Sequence, residues 1–159
     1  MSNTYSQITI HCVFAVKGRE NCITKKWRDE LHRYIAGTIT KNGTKVLAVG
    51  GWKDHVHILV GLPVTISIAD FMRIIKANSS KWINEQNFVP GKFQWQSGYG
   101  AFSLSKSQRD TVVKYIMTQE EHHKTTSFRD EYIKMLADSE ISFDEKYIFD
   151  FYDDNFDNK

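Results

Sequence analysis

Cysteine and proline are scarce, with two of each in 159 residues. Cys12 falls in an apolar stretch and Cys22 in a turn-like one. They are too few for a disulfide framework and lack the paired CxxC spacing of a zinc site, so both are expected as free thiols. No run approaches the roughly 18 apolar residues that cross a membrane, and no basic-then-apolar segment opens the chain. A soluble, cytoplasmic protein without a membrane partner is expected. Internal repeats and low-complexity stretches are also missing. With 41% hydrophobic and 13% aromatic residues, the chain can fill one ordinary core but hardly two. The sequence therefore predicts a single domain over residues 1–150 and an acidic tail over residues 151–159.

A net charge of +2 conceals an uneven distribution: residues 1–115 carry 16 Lys/Arg against 7 Asp/Glu, and residues 116–159 carry 5 against 12. A basic body followed by an acidic end suits a polyanion-binding surface, and equally an ordinary solvated one. Charge alone leaves both open.

Ile8, Ile10, Cys12, Phe14 and Val16 stand at alternate positions, the period of a half-buried strand. After a turn at residues 18–21, Thr24 can cap a helix whose Trp27, Leu31, Tyr34, Ile35 and Ile39 recur at helical spacing. That helix ends near Asn42 and Gly43. Residues 46–51 and 55–61 read as strands joined in a hairpin by Trp52, Lys53 and Asp54, with Pro63 closing the second. Ser67 opens another helix through Ile68, Phe71, Met72, Ile75 and Trp82 to about Gln86, and Pro90 and Gly91 mark a loop. Residues 93–103 are aromatic and interrupted by Gly98 and Gly100, which predicts an irregular fourth strand or a bulged pair of short ones. Two helices follow, over residues 107–121 and from the N-cap Ser127 to about Asp138. The order βαββαβ plus C-terminal helices predicts an α/β fold of the α+β sandwich type, ferredoxin-like or RRM-like. In that architecture helices pack on one face of an antiparallel sheet, and the other face is expected to be free for a ligand.

The segment Asp54-His55-Val56-His57-Ile58-Leu59-Val60 carries the clearest chemical signal. Side chains alternate along a strand, so His55 and His57 project from one face and can offer two imidazoles to a metal. Such a pair alone is more often surface or hydrogen-bonded histidine, and a metal needs a third ligand. The helix over 107–121 offers one, because Tyr115 and Gln119 are four residues apart and share a face. Taken by itself, Tyr115 reads as a packed core tyrosine, since a tyrosine in an amphipathic helix packs its ring more often than it attacks. His122 and His123 are either additional ligands or helix-end residues. Tyr99, Tyr132 and Tyr147 lack a glutamine four residues on, and Tyr132 falls in an apolar stripe with Phe128, Met135 and Leu136. His11 reads as a sheet-face residue.

The ordered set DHVHILV, a helix, an aromatic-glycine segment and VxxYIxxQ resembles the insertion-sequence transposases of the single-tyrosine HUH class. Ile10-His11-Cys12-Val13-Phe14 with Lys17 and Arg19 also resembles that family's first strand, and the likeness covers residues 5–123. Lys53 departs from the proline that many members carry before the Asp-His pair. The resemblance implies that His55, His57 and Gln119 bind a divalent cation, Mg²⁺ or Mn²⁺, and that Tyr115 is the nucleophile. It implies a DNA transposase that cleaves and rejoins single-stranded DNA, at mobile-element ends containing hairpins, through a 5′-phosphotyrosine. It also implies a homodimer exchanging the Tyr115 helix, although the sequence leaves a self-contained site equally open.

Lys17, Arg19, Arg73, Lys76, Lys81, Lys106, Arg109 and Lys114 are the candidates for phosphate contact. Trp95, Tyr99 and Phe102 could stack on bases or belong to the core. A domesticated palindrome-processing relative, a replication nickase and a plain nucleic-acid-binding module are the alternatives. Tyr115-Ile116-Met117-Thr118-Gln119 matches the mobile-element type.

Overall fold

The computed structural model describes residues 3–152. Strands β1 (Thr9–Ala15), β2 (Lys45–Gly51), β3 (His55–Gly61) and β4 (Gly100–Leu104) form one antiparallel sheet in the order β2-β3-β1-β4. Helix α1 (Lys25–Lys41) connects β1 to β2, and α2 (Ile68–Gln86) connects β3 to β4. Thus the βαββαβ arrangement is present. Helices α3 (Arg109–Met117), α4 (Gln119–His122) and α5 (Phe128–Asp138) follow.

The alternating strand residues Ile10, Cys12, Phe14, Val56, Ile58 and Val60 pack against Leu31, Ile35 and Ile39 of α1 and Phe71, Met72 and Ile75 of α2. Each such side chain, taken fully out of water, contributes about 1.5–3 kcal/mol. Ser67 caps α2, its hydroxyl accepting from the Asp70 amide at 3.0 Å, and Ser127 does the same for α5 with Asp130 at 3.0 Å. Among the described residues no helix is long and apolar enough to cross a membrane.

The second face of the sheet is covered rather than free, which corrects the expectation from sequence. Val13 and Ala15 pack against Phe128, Tyr132 and Leu136 of α5 and against Phe149, while Ala48 and Leu59 pack against Ile116 of α3. Every residue of β1 is therefore buried. Apolar residues on both strand faces require a cover on both sides, and the C-terminal helices provide the second.

Two boundaries also differ. Strand β4 is confined to residues 100–104, and upstream only Trp95 bridges to Val16, because Gly98 at φ 84° turns the chain between them. The helix expected over 107–121 is broken at Thr118 (φ −115°, ψ 29°), which separates α3 from α4. Phe151 packs on the second cluster, and Tyr152 accepts from the Gly18 amide at 2.6 Å. Residues 153–159 of the expected tail lie outside the described residues.

Candidate active site

His55 and His57 point from β3 into the layer beneath the C-terminal helices, and both are fully buried. His55 Nδ1 lies 2.7 Å from Asp54 Oδ1, so the carboxylate fixes that nitrogen as the donor. His57 Nδ1 lies 2.8 Å from His11 Nε2, a bond between neighbouring strands that orients the ring. Both Nε2 atoms are thereby left facing the interior. His11, read from sequence as a sheet-face residue, belongs to the site as this orienting partner.

In the sheet register His57 is flanked by Val13 on β1 and Gly50 on β2. A Cβ at Gly50 would lie 2.2 Å from the carbonyl oxygen of Ile116, so only glycine lets α3 come down this closely. The approach sets the ring of Tyr115 edge-on to His57, with centroids 5.7 Å apart. The break at Thr118 then turns Gln119 inward. Its amide nitrogen donates to Tyr115 O at 3.2 Å, and its Oε1 lies 3.1 Å from His55 Nε2 and 2.7 Å from His123 Nε2. Tyr115 and Gln119 thus meet the histidines of their own chain. The connection from β4 to α3 is only a 3₁₀ turn held by a Ser105–Gln108 capping box.

The largest addition to the residues expected from sequence is Glu131 on α5, 3% exposed. Its Oε1 lies 3.0 Å from His57 Nε2 and 3.2 Å from His55 Nε2, and its Oε2 lies 2.9 Å from His122 Nε2 and 3.4 Å from His123 Nε2. The Tyr115 hydroxyl also donates to Oε2. A local signal for it exists: Glu131 stands three residues after Phe128 and four before Met135, a carboxylate at a core position of an amphipathic helix.

Burial opposes protonation of His55, but the hydrogen bonds to Asp54 and Glu131 outweigh it and lift the ring to about 10. Burial, reinforced by His57, lowers His11 to about 3. His57 is lowered as well, chiefly by burial. Burial would raise Glu131, yet His57 and the hydrogen bonds from His123, His55 and His57 hold it well below the usual carboxylate range. Tyr115 is raised by burial and by the Glu131 charge.

With Nδ1 donating to Asp54, Nε2 of a neutral His55 is a lone pair aimed at two oxygens, those of Gln119 and Glu131. The conflict is relieved by a second proton on the ring or by a cation in its place. The donor set fits a small divalent cation. Adjacent ligands held about 2.1 Å from an octahedral ion lie about 3.0 Å apart, close to the 3.0–3.2 Å separations among His55, His57, Gln119 and Glu131.

The basic candidates are dispersed. Lys17, Lys76, Lys81 and Lys92 border an open groove of about 530 Å³ with Phe93 and Trp95. Lys76 donates to the carbonyls of Gln96 at 2.7 Å and Gly98 at 2.9 Å, tying the segment before β4 to α2. Arg73 faces Asp70 at 3.6 Å, Lys81 faces Glu85 at 3.9 Å, and Arg109 reaches Thr9 Oγ1 at 3.4 Å. Lys17, Arg19, Lys106 and Lys114 are exposed. Trp95 is in the core against Phe14 and Phe93, Tyr99 is half-buried beside it, and Phe102 lies near His11.

Residues 4–119, which hold His55, His57, Tyr115 and Gln119, match the family described as IS200-like transposases. The chain is 25% identical to the ISDra2 transposase TnpA of Deinococcus radiodurans over 118 residues, 71% of this chain and 84% of that one. It is 26% identical to the transposase for insertion sequence element IS200 of Salmonella typhimurium over 130 residues, 78% of this chain and 84% of that one. Its fold is similar to a solved structure described as a candidate transposase of Deinococcus radiodurans, with TM-score 0.60, 23% identity, and 73% and 93% of the two chains covered. A REP-associated tyrosine transposase bound to a REP hairpin is similar at TM-score 0.51 and 15% identity, over 73% of this chain and 68% of that one. Since the family match takes in the whole sheet and runs through α3 to Gln119, this chain belongs to the IS200-like transposases, a family of DNA-cleaving enzymes.

Proposed function

We propose that this transposase cleaves and rejoins single-stranded DNA at hairpin-containing ends of a mobile element, with Tyr115 as its nucleophile. One observation carries the reading. The Tyr115 hydroxyl and the Nε2 atoms of His55 and His57 converge on the single carboxylate of Glu131.

His55, His57 and the Gln119 oxygen are the residues that would hold Mg²⁺ or Mn²⁺, which supplies a Lewis acid for a phosphate oxygen when bound. Asp54 keeps Nδ1 of His55 protonated, and His11 fixes the ring of His57, so both Nε2 atoms stay aimed inward. Because the Tyr115 hydrogen points at Glu131, the lone pairs of its oxygen are available to phosphorus. The oxygen attacks the scissile phosphate, a Tyr115–phosphorus bond forms, and the bond to the 3′ oxygen breaks. The proton of the Tyr115 hydroxyl passes by way of Glu131 to the 3′ oxygen, which leaves as a hydroxyl, and the 5′ end stays on the enzyme as a phosphotyrosine. Another 3′-OH reverses the step and joins new ends without an outside energy source.

Exposed Lys17 with Lys81 and Lys92 around the groove supports sequence-independent contact to the phosphate backbone. Holding two DNA ends at once calls for a homodimer, each protomer bringing its own complete site.

The test is incubation with single-stranded DNA from the flanks of the gene plus Mg²⁺ or Mn²⁺. A denaturation-resistant protein–DNA adduct is expected, absent in Tyr115→Phe while DNA affinity stays within about twofold, since one hydroxyl is lost and the phosphate contacts lie elsewhere. An adduct that survives in Tyr115→Phe moves the chemistry to another residue.

A further inference from the structure

Glu131, His122 and His123 lie beyond the segment that matches the family, and the proposed reaction assigns them no ligand role. Yet they stand at the centre of the buried cluster. The two Glu131 oxygens face different histidine pairs, Oε1 toward His55 and His57 and Oε2 toward His122 and His123.

Hydrogen bonding alone does not satisfy this arrangement. A carboxylate has about four lone-pair sites, and here four imidazole nitrogens and a phenol press on one. His122 Nε2 is buried and 2.9 Å from Oε2 but makes no aligned hydrogen bond. His123 repeats the geometry of His55. Its Nδ1 lies 2.7 Å from the carbonyl of Thr126, which can only accept, so Nδ1 carries the hydrogen. Nε2 of the neutral ring is then a lone pair directed at Gln119 Oε1 (2.7 Å) and Glu131 Oε2 (3.4 Å). A pair of imidazole nitrogens and one carboxylate oxygen face each other on each side of Glu131, with the single Gln119 oxygen between His55 and His123, and each such set can hold a cation.

We infer that Glu131 is a bridging ligand and that the site binds two divalent cations, one with His55 and His57 and the other with His122 and His123. The first of these rests on the reading given under Proposed function; the second is new. Imidazole-rich sets of this kind prefer a transition ion over Mg²⁺, so Mn²⁺ is the suitable probe. Carboxylate-bridged pairs typically hold their ions about 3.5–4 Å apart, a spacing that couples two Mn²⁺ magnetically. The second position lies beside the Tyr115 oxygen, which shares Oε2 with His122 and His123.

The experiment is Mn²⁺ titration of the metal-free full chain by calorimetry, with electron paramagnetic resonance of the wild type at saturation. Two Mn²⁺ per chain and a spin-coupled spectrum are expected, falling to one Mn²⁺ and an isolated six-line spectrum in His122→Ala/His123→Ala. Glu131→Gln should abolish the coupling. One Mn²⁺ per chain with an uncoupled wild-type spectrum overturns the second cation and leaves the first standing. No binding at all overturns both, and His57→Ala binding as tightly as wild type removes only the first. The wild-type spectrum needs no variant to fold.

Discussion

The ring of Phe128 lies flat on the imidazole of His55, with planes 2° apart and centroids 3.9 Å from each other. Helix α5 therefore closes the face from which β3 presents its histidines, and it brings Glu131 in with it. Phe128 also meets Tyr132, Phe149 and Phe151, so a single aromatic joins the site to the second core.

Phe128→Ala should cost about 3–5 kcal/mol, because it empties a buried position that the neighbouring rings cannot refill. Urea unfolding measures it. A loss below about 1 kcal/mol, the size of an ordinary surface change, would mean that α5 does not hold to the sheet in solution.

Gly50→Ala should cost about 1–3 kcal/mol, since the new Cβ meets backbone, the Ile116 carbonyl at 2.2 Å, rather than a side chain that can swing away. Pushing α3 outward also withdraws Gln119, so Mn²⁺ affinity should fall in parallel. Gly37 on α1 has nothing within 4 Å of its Cβ position, and Gly37→Ala should gain up to about 1 kcal/mol. Equal effects of the two substitutions on stability and on metal binding would show that the close approach is not what limits this site.

The metal-free chain should be most stable near pH 6.5. His55 is raised from 6.5 to about 10 in the fold, so the stability it contributes is complete below 6.5 and is lost as pH climbs toward 10. His11 is lowered from 6.5 to about 3, so the unfolded chain takes up the proton first and stability falls as pH drops from 6.5 toward 3. Urea midpoints from pH 4 to 9 trace both limbs. Asp54→Asn should flatten the alkaline one, and an unchanged slope there would detach the Asp54–His55 pair from it.

Mixing Tyr115→Phe with His57→Ala should not restore adduct formation, because Tyr115 faces His57 of its own chain across 5.7 Å. Exchange of subunits is verified with differently tagged chains. If the Tyr115 helix passed to the neighbour instead, about half the dimers would be mixed with one working site each, and roughly a quarter of parental cleavage would return.

Local sequence determined the elements, and it determined which side chains share a face. The two-residue strand period puts His55 and His57 together, the four-residue helical spacing puts Tyr115 above Gln119, and Ser67 and Ser127 mark where helices start. Those signals act over a few bonds, so they survive in any fold containing the same elements. What covers a face is decided over long separations, and period carries no information about it. The alternation in β1 and β3 identified an inner side without saying that α5 would close the other. Only the packed chain brings Glu131 to His57 across 74 positions and His11 to the same ring across 46. The break at Thr118 is of the same kind: sequence supports a continuous helix, and the docking of α3 over Gly50 with Gln119 turned toward His55 makes two helices of it. Helical period alone assigns position 131 to the core. The charge there is tolerated because tertiary structure surrounds it with imidazoles.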